Sequence, residues 1–147
     1  MYLRCRVSSQ KKMATTSNRG KTAEILVRKR LEVLCKSQTS MYMRLPDAHA
    51  GSLASTISDF LVLIEGQVTF LEVKETMHDY RLPHGNFDTG QVARMRMAQM
   101  AGARALVLIY HSGIKLWRGY QIDRFIEREG GSWDLREQTP TKLDELL

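Results

Sequence analysis

Apolar residues recur at helical spacing between positions 19 and 36: Ala23, Val27, Leu31, Leu34 and Cys35 share one stripe, behind Ser17 and Asn18 as N-cap candidates. This pattern predicts a first helix. Beyond it the period shortens to that of strands, with Met41–Leu45 reading as a short strand and 46–58, rich in Gly, Ala, Ser, Thr and His, as a loop. Asp59–Ile64 and Gln67–Lys74 are apolar-rich runs separated by Glu65-Gly66, which predicts a hairpin closed by a two-residue turn. A polar loop through Pro83 and Gly85 leads to a second helix, signalled by Asp88 with Gln91 three residues later as a capping box, and running to about Ala101. Ala105–Tyr110 reads as a buried strand, Ile114–Trp117 as another and Tyr120–Arg128 as a short helix, while the stretch from Gly130 onward is polar and weakly patterned. Helix, three strands, helix and strand in that order predict a mixed α/β sandwich.

The hairpin has a chemical consequence. With Glu65 and Gly66 in the turn, Ile64 faces Gln67, and following the ladder outward brings Asp59 opposite Glu72. Period-two alternation puts Leu61, Leu63, Val68, Phe70 and Lys74 on the face of these carboxylates, and Phe60, Val62, Ile64, Leu71 and Val73 on the other. Because both faces are apolar, the hairpin is expected to be central and covered. Two carboxylates opposed on a covered sheet repel each other and resist desolvation, so a positive group belongs between them. Mg2+ suits the position, with Asp59, Glu72 and the Val73 carbonyl as ligands and water completing the shell. Lys74, on the same face, would bring an ammonium close to a phosphate or an attacking water. These are the parts that phosphodiester hydrolysis uses. The plain alternative is that Asp59 caps its strand while Glu72 and Lys74 form an ordinary surface pair. Asp47, in Pro46-Asp47, is a rival first carboxylate; it ranks second because it lies in a loop with no geometric tie to Glu72.

A chain of 147 residues is expected to form one domain, and its two cysteines, Cys5 and Cys35, lack the spacing of a zinc site. Its apolar runs are too short to span a bilayer, so a soluble, cytoplasmic protein without membrane contact is expected. Charge adds direction: residues 1–30 carry a net +8 and the remainder −2. Residues 1–18 therefore read as a flexible basic arm and 19–147 as a single nuclease domain. Lys11, Lys12, Arg19 and Lys21 become candidate DNA contacts, with a solubilising tail as the alternative.

Several short motifs share one order and spacing with a known family. These are Asn18-Arg19-Gly20 followed by Glu24, Ser55-Thr56 ahead of Asp59, Glu72-Val73-Lys74-Glu75-Thr76, and then Leu82-Pro83, Asn86-Phe87 and Gln91 with Met95. Over roughly residues 18–128 the chain resembles the RecU-type Holliday junction resolvases of the PD-(D/E)XK nuclease superfamily. That resemblance implies a restriction-endonuclease-like mixed sheet flanked by helices, Mg2+ with Mn2+ as a substitute, branched DNA with four-way junctions as substrate, and a two-fold homodimer. It further implies that Glu24 is an additional acidic site residue, catalytic and metal-binding, that Thr56 lies near the metal, and that Gln91 faces the site. On the residues alone, the capping-box role for Gln91 stands equally. His84, in a loop near the site, is a candidate DNA contact, and Trp117, Tyr120 and Phe125 are either interface or core. Two other functions compete: a nuclease of the same fold acting on flaps, forks or duplex DNA, and a non-catalytic basic DNA-binding module.

Overall fold

A computed structural model describes residues 19–47, 56–125 and 131–147. The basic arm with Lys11 and Lys12, and the cap candidates Ser17 and Asn18, lie outside the described residues. Helix α1 (Arg19–Leu34) forms because Ala23, Val27 and Leu31 stack on one side, all three fully buried. Strand β1 (Ser40–Arg44) follows, then the hairpin of β2 (Phe60–Ile64) and β3 (Gln67–Thr76). Ile64 faces Gln67 and Phe60 faces Leu71, the predicted register. Glu65 (φ 50°) and Gly66 (φ 82°) both adopt the left-handed region, as a type I′ turn demands.

After a short strand β4 (Arg81–Pro83), helix α2 (Gln91–Met100) carries the chain across to β5 (Arg104–His111), which pairs parallel to β3; β6 (Leu116–Gln121) returns antiparallel. The result is a mixed five-stranded sheet in the order β1-β2-β3-β5-β6. On one side α1 packs its buried stripe against Phe60, Val62, Leu71, Val73, Leu108 and Trp117. On the other, Val92 and Met95 of α2 meet Ala105, Val107 and Ile109, together with Phe87, Tyr120, Phe125 and Trp133. Trp117, Tyr120 and Phe125 are thus core residues and not interface. No described helix is long and apolar enough to cross a membrane.

Four expectations need correction. The hairpin is covered fully only on the α1 side. On the α2 side Leu61, Leu63, Val68 and Phe70 stay half-buried, and their sheet neighbours Met41 and Met43 are 47% and 51% exposed, because α2 lies over β5 and leaves β1 and β2 open. The strand expected at Ile114–Trp117 begins at Leu116, since Ile114 and Lys115 (φ 57°) turn the chain back on His111. The helix expected over Tyr120–Arg128 is, in its described part, a single 3-10 turn at Ile122–Arg124, and Tyr120 belongs to β6. Helix α2 starts at Gln91, after Gly90 in the left-handed region, and not directly behind Asp88.

The tail after Gly130 also carries structure. Strand β7 (Ser132–Asp134) pairs with β4 in a second, two-stranded sheet, and Trp133 and Leu135 enter the core. Two apolar residues in a polar stretch give no periodicity, so only their distant partners define them. Trp133 meets Phe87 and Phe125 edge to face, at 5.6 and 5.1 Å between ring centroids. Trp133→Ala is expected to cost about 3–5 kcal/mol in urea denaturation; a loss under about 1 kcal/mol, the range of a surface change, would show that this layer is dispensable.

Candidate active site

Strand β3 outruns β2. Their last pair is Phe60 with Leu71, but β3 continues to Thr76 alongside β5. The open edge is satisfied by a side chain: the Val73 N–H donates to Asp59 Oδ2 at 2.7 Å, while the Asp59 carbonyl accepts from the Leu45 N–H at 2.8 Å. Asp59 is therefore fixed where the ladder opens, close to Glu72. A cleft of about 630 Å3 lies there, its lining including Glu24, Asp47, Thr56, Asp59, Glu72, Val73, Lys74 and Gln91.

Glu72 is 2% exposed. Its Oε1 lies 2.5 Å from Lys74 Nζ, whereas its buried Oε2 has no hydrogen-bond partner among the described residues. Burial pushes the Glu72 carboxyl above its usual range, against the opposing pull of Lys74. Burial, and then the neighbouring Glu72 charge, push Asp59 up to about 7, although the Val73 N–H and Lys74 favour its ionised form. Lys74 also donates to Gln91 Oε1 (3.3 Å) and sits 4.9 Å over the Phe87 ring. The same Gln91 oxygen accepts from the Asp88 N–H at a long 3.4 Å, which is one half of the expected capping box, although the residue that caps the helix is Gly90 and not Asp88.

Glu24 reaches the cleft from α1 and adds to the charge felt by Asp59, but its carboxylate is held by Arg44 Nη2 at 3.1 Å. The same guanidinium nitrogen holds Asp47 at 3.0 Å, and the Asp47 side chain is 74% exposed. Asp47 thus shares the cleft, while Asp59 alone of the two is locked to β3. Thr56 donates to the Pro46 carbonyl on the cleft wall. His84 does not line the cleft; its ring packs on Trp133 with centroids 4.1 Å apart. Lys21 lies in a neighbouring groove with Arg28 and Arg44, and Arg19 is the first residue of α1.

Sequence reasoning gave no role to His78 or Ser58, which also line the cleft, and treated Asn86 only as part of a motif; its side chain donates to the Glu75 carbonyl at 3.3 Å. Composition of the lining suits a hard divalent cation: two close carboxylates, one oxygen without a donor among the described residues, and mutual repulsion to relieve. Among the described residues no three His, Cys, Asp or Glu side chains form a ready cage. A two-carboxylate set fits Mg2+, which keeps several waters, better than a metal that demands a full protein shell.

No family model and no curated protein matches the sequence. Among solved structures the chain is similar to Hjc, a Holliday junction resolvase from the archaeal hyperthermophile Archaeoglobus fulgidus, with a TM-score of 0.60 and 17% sequence identity, over 86% of this chain and 98% of that one. The fold is accordingly the restriction-endonuclease-like mixed sheet flanked by helices.

Proposed function

We propose that this protein is a metal-dependent endonuclease that cleaves branched DNA, with four-way junctions as its preferred substrate. The observation that carries the reading is the buried Asp59 and Glu72 pair, with a Glu72 oxygen that has no donor among the described residues and Lys74 beside it. Likeness in fold to a Holliday junction resolvase supports the choice of substrate. The RecU-type motifs point the same way.

Asp59, Glu72 and the Val73 carbonyl are the groups that would hold Mg2+ or Mn2+, which supplies Lewis acidity toward a phosphodiester and lowers the proton affinity of water. Lys74 balances the charge of Glu72 and stands ready to meet charge that develops on phosphate oxygens. Gln91 fixes the Lys74 ammonium through its side-chain oxygen, and Phe87 supports it from below. Glu24, once exchanged from Arg44, adds a third carboxylate. One chain offers one such centre, whereas resolving a junction needs two symmetric nicks, so we assign the active form as a two-fold homodimer.

A cleavage assay on a labelled junction, a flap and a linear duplex, with Mg2+ and with chelator, tests the reading together with light scattering. Paired symmetric nicks on the junction, abolished by chelator and produced by a dimer, are the expected result. Equal cutting of linear duplex, or a monomer nicking one strand at random, would leave a nuclease without the resolvase specificity.

A further inference from the structure

One part of the cleft wall is anchored more firmly than its exposure suggests. Between β3 and β4 the chain turns through Met77, His78, Asp79 and Tyr80, the first three of them exposed. Exposed loops ordinarily leave much of their backbone to water. Here both polar backbone groups of His78 are engaged: its N–H donates to Thr76 Oγ1 (3.2 Å), and its carbonyl accepts from the His111 ring nitrogen Nδ1 (2.6 Å). The next carbonyl, that of Asp79, accepts from Arg118 Nη1 at 2.7 Å.

These two donors lie in the interior, His111 fully buried and Arg118 only 4% exposed. Arg118 Nη1 also lies 2.8 Å from His111 Nε2, and its Nε donates to the Gln138 carbonyl at 2.9 Å. A guanidinium can only donate, so His111 Nε2 must be the acceptor and Nδ1 must carry the proton given to His78. Burial, with the Arg118 charge, holds His111 below its ordinary range, against the pull of the His78 carbonyl and Asp79. The neutral tautomer follows from both lines. A buried guanidinium is costly to maintain, and this one is spent on the Asp79 carbonyl of the turn, on the Gln138 carbonyl and on His111.

What the bonds to the His78 and Asp79 carbonyls fix is the point from which the His78 side chain departs. His78 lines the main cleft and also a second hollow of about 320 Å3 formed by residues 77–81. No described residue hydrogen-bonds to its imidazole, whereas Lys74 is taken by Glu72 and the other charged lining groups are carboxylates. We infer that His78 binds a phosphate of the nucleic-acid backbone next to the one placed at Asp59 and Glu72, and that His111 and Arg118 are the positioning residues that hold it there. The inference rests on the nuclease reading for its ligand; its chemistry is a ring N–H donated to a phosphate oxygen.

The test uses the full chain carrying Glu72→Gln, so that binding is read without cleavage, and a fluorescently labelled four-way junction as probe. His78→Ala is expected to weaken binding about tenfold, the size of one hydrogen bond to a charged group, and His78→Gln, which keeps an N–H donor, to recover most of it. With Glu72 restored, His78→Ala should raise KM more than it lowers kcat. Arg118→Lys and His111→Gln should weaken binding in the same direction and also speed amide exchange at His78, which His78→Ala leaves protected. Binding by His78→Ala equal to its parent overturns the phosphate contact. Faster exchange in Arg118→Lys with undiminished binding overturns the positioning role. Binding that depends on His78 in a protein that cuts nothing would support the inference while removing the nuclease reading. Failure of the parent to bind any DNA would remove both.

Discussion

Glu72→Gln is expected to lower junction cleavage by about a thousandfold or more while leaving the fold intact. The substitution keeps the shape of a side chain that is 2% exposed but removes the charge that a cation and Lys74 both need. Asp59→Asn should do the same, since the asparagine oxygen can still accept the Val73 N–H and hold the strand opening. Asp47→Asn serves as the contrast: its side chain is 74% exposed and tied only to Arg44 among the described residues, so the rate should change by no more than a few-fold. Single-turnover cleavage rates with a melting curve for each variant decide the matter. An Asp59→Asn enzyme cutting near the wild-type rate, with Asp47→Asn inactive, would reverse the assignment of the first carboxylate.

Without metal, the protein is expected to lose stability as pH rises from about 4 to 7. Asp59 has its folded-state value raised from 3.8 to about 7. Through that window the native state therefore holds a proton that the unfolded chain releases, so ΔG of unfolding falls with pH. The penalty is absent below the unfolded value and fully developed above about 7. A shift of this size corresponds to roughly 4 kcal/mol at most, and Glu72, raised by the same burial, acts with the same sign. Added Mg2+ should restore the loss near neutral pH, because a cation that binds only the folded form stabilises it. Melting temperatures across that range, with chelator and with Mg2+, provide the measurement. A flat profile in chelator, or one identical in Asp59→Asn, would show that the two carboxylates are not in electrostatic conflict.

Much of this geometry was written locally in the chain. Two residues, Glu65 and Gly66, set the hairpin register, and register alone brought Asp59 to Glu72. Helix α1 announced itself by Ala23, Val27 and Leu31 at four-residue intervals. What escaped was long-range. Nothing near Arg81 signals a strand, because its partner Asp134 lies far along the chain. His78 is one of four histidines scattered along the chain, and nothing beside it in the sequence shows that His111 holds its carbonyl or that Arg118 holds the next one. Gln91 resisted a single assignment because one oxygen accepts from both the Asp88 N–H, ahead of the helix, and Lys74.

The pairing of β4 with β7 also sets an order of completion. Every carboxylate of the cleft lies before residue 89, and the lysine that balances them is Lys74. Phe87, beneath that lysine, leans on Trp133, and Arg118 reaches the backbone of Gln138. On a ribosome these supports emerge last. A chain halted before Trp133 thus holds all the groups of the proposed chemistry but lacks the indole on which Phe87 leans and the Gln138 carbonyl that steadies Arg118.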